Sequence, residues 1–135
     1  MTGQTEQVVI VGAGMVGHRV AEEIAQDSNL QVHLIGDEEY HPYNRILLSE
    51  VLAGRADLHA LTLPEPHHSV QLRRGSGVVG IDREARRVLL ADGDELPYDK
   101  LVLATGARAF VPPITGLEGE PQHVHVLRTW DDCRD

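Results

Sequence analysis

The chain has 135 residues, 41% hydrophobic and 24% charged, with 12 basic against 21 acidic side chains and a formal net charge of −9. These proportions fit a soluble globular protein with enough chain for one buried core, and the acidic surplus argues against nonspecific nucleic-acid binding. No apolar run approaches the roughly 20 residues that span a bilayer, residues 1–7 lack the basic and apolar regions of a secretory signal, and the lone Cys133 offers no disulfide or redox pair; a cytoplasmic location is expected.

The first element is an apolar strand, Val8 to Val11, running straight into Gly12-Ala13-Gly14-Met15-Val16-Gly17. A helix follows from Val16 to about Ser28, with Val20, Ile24 and Ala21 or Ala25 on one face. A second apolar run, Val32 to Ile35, ends at Gly36-Asp37-Glu38, twenty residues after Gly17. Strand, G-x-G-x-x-G, helix, strand and acid in this register form a dinucleotide-binding fingerprint. Gly12 permits the tight turn, Gly14 lets a pyrophosphate approach the backbone, and Gly17 lets the helix pack close to the sheet. Amides at the helix N-terminus then face the phosphates. Asp37, or failing it Glu38, accepts hydrogen bonds from a ribose diol.

A proline-punctuated loop, Glu39 to Arg45, leads to a short helix from Ile46 to Ala53 that stops at Gly54. Leu58 to Leu72, broken by Pro64 and Pro66, reads as loop with short extended pieces. Val78–Asp82 and Arg87–Leu90 flank a polar turn and predict an antiparallel hairpin, with a further turn at Asp92-Gly93-Asp94. Lys100 to Ala104 reads as a buried-type strand ending at Thr105-Gly106, and Val124 to Leu127 as a last strand. Trp130 to Asp135 looks like the first turn of a helix, with Thr129 as N-cap and Asp132 at the capping-box position. A capped helix of one turn is an unusual place for a domain to stop, so the chain is expected to be a fragment. Among the eight histidines, His67-His68 and His123-x-His125 lack a metal-site motif and read as surface residues. No hydrolase motif is present.

The stretches Val9–His18, Pro42-Tyr43-Asn44-Arg45, Tyr98–Gly106 and Leu127-Arg128-Thr129 resemble the FAD- and NAD(P)H-dependent pyridine nucleotide-disulfide oxidoreductase superfamily. Gly14-Met15-Val16-Gly17-His18 with the Tyr-Asn-Arg loop is most similar to the N-terminal region of the assimilatory NAD(P)H nitrite reductase large subunits. Ferredoxin and rubredoxin reductases are close behind. The resemblance implies an α/β, Rossmann-like FAD-binding domain: a parallel sheet with a βαβ start and an inserted antiparallel hairpin, incomplete at its C-terminus. It implies that the fingerprint holds FAD, through Gly12, Gly14, Met15, Val16, Gly17 and Asp37 or Glu38. Val79 would meet the adenine through its backbone. Ala104-Thr105-Gly106 is similar to the second flavin motif, Arg45 to the residue approaching the flavin, and Arg128 is a further candidate. No catalytic acid or base is assigned.

Two features depart from the family pattern. Gly36 stands where many relatives place the ribose-binding acid, and Pro64–Ser69 looks shorter than the usual helix before the hairpin. An NAD(P)H-binding domain and the returning part of the FAD domain are not found in residues 1–135, so this segment alone is expected to bind FAD weakly and to lack hydride transfer. In the parent, NAD(P)H is the expected co-substrate, with electrons passing through FAD to an acceptor domain or protein. In the nitrite reductase branch that acceptor would be an iron–sulfur and sirohaem module, and a homodimer is a further expectation. The alternatives are a ferredoxin or rubredoxin reductase and, in another class, a noncatalytic module that senses NAD(H) or ADP.

Overall fold

The computed structural model describes residues 4–119 and 121–134, so Glu120 and Asp135, the end of the expected last helix, lie outside the described residues. The chain divides into two compact units, one of residues 1–43 and 62–106, the other of 44–61 and 107–135.

The first unit is built on a four-stranded parallel sheet of β1 (Glu6–Val11), β2 (Leu30–Ile35), β3 (Val70–Arg73) and β7 (Lys100–Leu103), in the order β3-β2-β1-β7. Helix α1 (Met15–Ile24) connects β1 to β2. A smaller antiparallel sheet of β4 (Val78–Asp82), β5 (Arg87–Leu90) and β6 (Glu95–Pro97) is inserted between β3 and β7. The expected βαβ start and inserted hairpin are both present.

Successive residues of a strand point to opposite faces, and β1 carries apolar side chains on both. Val8 and Ile10 pack with Ala21, Val32 and Leu34 on the α1 side. Val9 and Val11 pack with Ile35, Val88 and Leu90 on the side of the small sheet. Val9, Ile10, Val32, Leu34 and Val88 are fully buried. Such a strand, covered on both faces, reads as an unbroken apolar run.

Four expectations need correction in detail. Helix α1 ends at Ile24 rather than near Ser28, because Asp27 turns the chain: its carboxylate accepts from Asn29 N at 2.9 Å and its carbonyl from Leu30 N at 3.0 Å. The end of Leu58–Leu72, expected as loop with short extended pieces, is more than such a piece: Val70–Arg73 is a regular sheet strand paired with Val32–Ile35. Strand β7 is only half-buried, since it is an edge of the parallel sheet and Leu103 is 62% exposed. Val124–Leu127 forms no strand: it has no pairing partner among the described residues, and Val124, Val126 and Leu127 stay exposed.

In the second unit, Arg45–Leu47 is a 3-10 turn that runs into α2 (Leu48–Leu52), where a single helix over Ile46–Ala53 was expected. Asn44 caps it, its side chain accepting from Ile46 N at 3.1 Å. Leu48, Leu61 and Trp130 are its buried apolar residues, and the Trp130 ring meets His59 edge-on at 5.7 Å between centroids. Among the described residues no helix is long and apolar enough to cross a membrane.

Candidate functional site

The first unit gathers most of the expected site residues where the order of its sheet reverses. From β1 the chain goes to β2 on one side, whereas β7 lies on the other, so the C-terminal ends of β1 and β7 frame a topological switch point. In open α/β sheets that crevice is the usual ligand site. The glycine loop leaves the sheet there. Gly12 N donates to Ile35 O at 2.9 Å, and Ala104 N donates to Val11 O at 2.8 Å, which ties the loop to both neighbouring strands.

The three fingerprint glycines have distinct physical roles. Gly12 sits at φ +110°, and a Cβ there would lie 2.1 Å from Ala104 O, so both conformation and space demand glycine. A Cβ on Gly17 would lie 1.8 Å from Gly12 O; α1 rests directly on the loop. Gly14 is the opposite case, extended at φ −81°, with no heavy atom within 4 Å of the Cβ position. Gly14 is also the N-cap of α1, and neither a capping side chain nor an acid in the first turn answers the helix amides. The amides of Met15 and Val16 therefore open a helix whose positive end is not neutralised by its own side chains. An open approach to a bare helix N-terminus suits a pyrophosphate.

The other expected residues of this unit lie at the tip of β2, on β4 and past β7. Asp37 is exposed, and Glu38 is half-buried with its Oε2 accepting from the Tyr43 hydroxyl at 2.7 Å. Val79 is 71% exposed and lies at a bulge, because β4 pairs with β5 through Val78 and then Gly80. Its backbone is thus outside the regular ladder. Thr105 and Gly106 are exposed just past β7, Gly106 at φ +71°.

Arg45 and Arg128 are brought together in the second unit. Arg45 Nη1 donates to Arg128 O at 3.0 Å, and Arg128 Nε donates to Ala107 O at 3.0 Å. The expected capping box is formed there: Thr129 N donates to Asp132 Oδ2 at 2.7 Å, and Asp132 N to Thr129 Oγ1 at 3.2 Å. The element beside it is a 3-10 turn over Asp131–Cys133 whose N-cap is Trp130, one residue later than the expected Thr129, because Trp130 already has helical backbone angles. Burial raises the Asp132 pKa, but the Thr129 and Arg128 hydrogen bonds and the Arg45 charge outweigh it and leave the group below its usual value.

Sequence reasoning missed three contributors. A Cβ on Gly36 would lie 2.9 Å from that of Ala13, so the residue read as a departure is what lets the end of β2 pack on the glycine loop. Gly77 makes room for Asp37, whose Oδ1 would be 2.7 Å from a Cβ there. His18, nearly buried in α1, hydrogen-bonds the Pro64 carbonyl through Nε2 at 2.8 Å. A glycine immediately after each apolar or turn segment was the available signal for the first two. The His18 contact spans 46 positions and has no local signature.

Known proteins share this arrangement. The model of the pyridine nucleotide-disulphide oxidoreductase family matches residues 6–135. The nitrite reductase [NAD(P)H] large subunit of Klebsiella oxytoca is 43% identical over 134 residues, covering 93% of this chain and 14% of that protein. Putidaredoxin reductase of Pseudomonas putida is 37% identical over 135 residues, covering 95% of this chain and 32% of that protein. Among solved structures, the putidaredoxin reductase of a covalent complex with putidaredoxin superposes with a TM-score of 0.79 at 34% identity, over 96% of this chain and 33% of that one. A NAD-dependent persulfide reductase from A. fulgidus gives 0.84 at 26% identity, over 95% and 26%. The chain thus spans 14% and 32% of the length of these two curated relatives. With the family model covering it from the first strand onward and the glycine loop seated at the switch point, the chain belongs to the pyridine nucleotide-disulphide oxidoreductase family.

Proposed function

We propose that this chain supplies the FAD-binding segment of an NAD(P)H-dependent flavin oxidoreductase. The observation that carries the proposal is the glycine loop at the switch point, with only glycine tolerated at Gly12 and open space at Gly14. Gly12, Gly14 and the amides of Met15 and Val16 hold the pyrophosphate, aided by the helix dipole. Gly17 seats α1 close enough for this. Asp37 or Glu38 takes the ribose diol, and the bulged backbone of Val79 takes the adenine edge. Ala104, Thr105 and Gly106 return to the cofactor beyond β7, and the family resemblance adds Arg45 and Arg128. A guanidinium there would pair with phosphate or with polar ring atoms. Flavin held by these residues would supply the redox chemistry, hydride acceptance from a reduced nicotinamide and one-electron release, while the protein's part is to bind and orient it.

Within that activity, the nitrite reductase large-subunit type is the leading reading, supported by the 43% identity to the Klebsiella oxytoca protein. Its acceptor would be an iron–sulfur and sirohaem module in the same parent. A ferredoxin or rubredoxin reductase is the second reading, favoured by the 37% identity to putidaredoxin reductase and by ferredoxin reductase relatives at 38–40%. In that case the acceptor is a separate small iron–sulfur protein. The parent is read as cytoplasmic and homodimeric in either case. A noncatalytic NAD or ADP sensor is disfavoured by the resemblance around Arg45 and Thr105, which a simple nucleotide module does not need.

The test is expression of the natural full-length protein, with flavin absorbance followed on addition of NADH and of NADPH. Bleaching of a bound flavin supports the proposal, and failure of the protein to hold or reduce flavin refutes it. Sirohaem absorbance and reduction of nitrite would select the first reading; turnover only with an added ferredoxin or rubredoxin would select the second.

A further inference from the structure

Three residues of α1 reach one neighbouring segment, the Pro64–Ser69 stretch that precedes β3. His18 Nε2 lies 2.8 Å from the Pro64 carbonyl, which can only accept, so the ring carries a proton on Nε2 and donates it. Glu22 Oε1 accepts from His67 N at 2.5 Å, and the Ala25 carbonyl accepts from Ser69 Oγ at 3.2 Å. Residues 18, 22 and 25 stand at i, i+4 and i+7, which is one face of the helix. The stretch is also anchored on its own account: Leu63 N donates to Pro42 O and Val70 N to His67 O, each at 2.8 Å. Pro64 and Pro66 fix two of its φ angles. The short segment, with no helix of its own, is thus strapped along α1.

Within this polar stripe His18 stands nearest the candidate phosphate site. Its backbone N donates to Gly14 O at 2.9 Å and closes the first turn of α1, the turn that presents the Met15 and Val16 amides. The residue is only 8% exposed. It therefore joins the N-cap carbonyl of the helix to a fixed carbonyl outside it. A helix of 10 residues is marginal by itself, and α1 has no capping side chain to hold its first turn. Groups that bind a ligand need to be held to within about 0.5 Å by supporting hydrogen bonds of this kind. We infer that His18 is a positioning residue: by anchoring the first turn of α1 to the Pro64 carbonyl, it holds the helix amides in place for the diphosphate of a nucleotide. Glu22 supports it from the next turn. This rests on the nucleotide-binding reading above.

The test uses the natural full-length protein stripped of nucleotide. ADP and adenosine are each made to compete with FAD, followed by flavin fluorescence, and FAD is titrated alone alongside. The amides act on the phosphates and not on the nucleoside, so the readout is the ratio of ADP to adenosine affinity. His18→Leu, which fills the space without a donor, is expected to lower that ratio about fivefold, within the range of one hydrogen bond. His18→Gln restores the ratio, because its amide nitrogen is as many bonds from the backbone as Nε2; His18→Asn, one bond shorter, does not. Glu22→Ala lowers it about twofold, and this variant decides the matter if His18→Leu does not fold. A merely structural His18 would weaken both ligands together and leave their ratio intact. An unchanged ratio in His18→Leu, or in Glu22→Ala where the leucine variant is unfolded, overturns the inference, as does a ratio in His18→Gln as low as in His18→Asn. In each of those cases FAD binding by the wild type keeps the wider reading. Failure of the wild type to bind either FAD or ADP overturns both.

Discussion

Replacing Gly17 by alanine sets two effects against each other, and the structure decides between them. Gly17 lies inside α1, where alanine is favoured over glycine by about 0.8–1.0 kcal/mol. The new Cβ, however, would lie 1.8 Å from Gly12 O and 3.0 Å from Gly12 C, against 3.4 Å for ordinary contact. The obstacle is backbone, held by the Gly12–Ile35 hydrogen bond and by the steric seat against Ala104, so it cannot rotate aside. Relief requires α1 to move by more than an ångström off the cluster of Val8, Ile10, Ala21, Val32 and Leu34. Overpacking of that kind costs typically about 1–3 kcal/mol, and a rigid obstacle puts this case at or above the upper end. The net expectation is a loss of about 2 kcal/mol or more after the helix gain is credited. Urea unfolding followed by far-UV circular dichroism measures it. Gly14→Ala is the internal control: no atom lies within 4 Å of its Cβ position, so its midpoint should stay within about 0.5 kcal/mol of wild type. A Gly17→Ala protein as stable as wild type would refute the close-packing argument.

Gly14→Val should leave the far-UV spectrum and urea midpoint nearly unchanged while abolishing FAD binding, because its side chain enters the open approach to the α1 amides; retained affinity in a titration would remove the loop from the site. Arg45→Ala should weaken FAD more than ADP, and equal losses would contradict its assignment to the flavin half. Burial lowers the pKa of His33, whose Nε2 is hydrogen-bonded to Gln7 Oε1 at 2.9 Å, below the ordinary value of 6.5. The unfolded chain then binds more protons between the folded pKa and 6.5, so the stability from neutral His33 is complete above 6.5 and is lost as pH falls through that window. Urea midpoints measured across that window should show the slope reduced in His33→Gln; an identical slope would place the titration elsewhere.

The parts legible in the sequence were those with local signatures. Val8–Val11 is apolar on consecutive positions because both its faces are covered, and the glycines that follow state where the backbone must turn or touch. The hairpin was equally plain, since the polar turn from Arg83 to Arg86 separates two short apolar runs. What escaped depended on partners far along the chain. Val70–Arg73 is a strand because β2 offers it an edge, not because its own four residues insist on it. Val124–Leu127 has comparable apolar character and no such edge, so it stays irregular. The reach of α1 was overestimated because apolar spacing continued past Ile24, while the side chain of Asp27 ended the helix through a local turn. The site divides the same way: the glycines were readable singly, whereas the Tyr43–Glu38 bond and the seat of Gly36 on Ala13 emerge only when the β2 tip is folded.

The most direct measurement of the central claim is a competition between FAD and NADH for the natural full-length protein stripped of nucleotide, with the Gly14→Val variant measured in parallel. The account predicts that FAD binds the stripped protein in preference to NADH at the glycine loop, and that Gly14→Val eliminates that binding. Preferential binding of NADH there, or FAD binding indifferent to Gly14→Val, would contradict it.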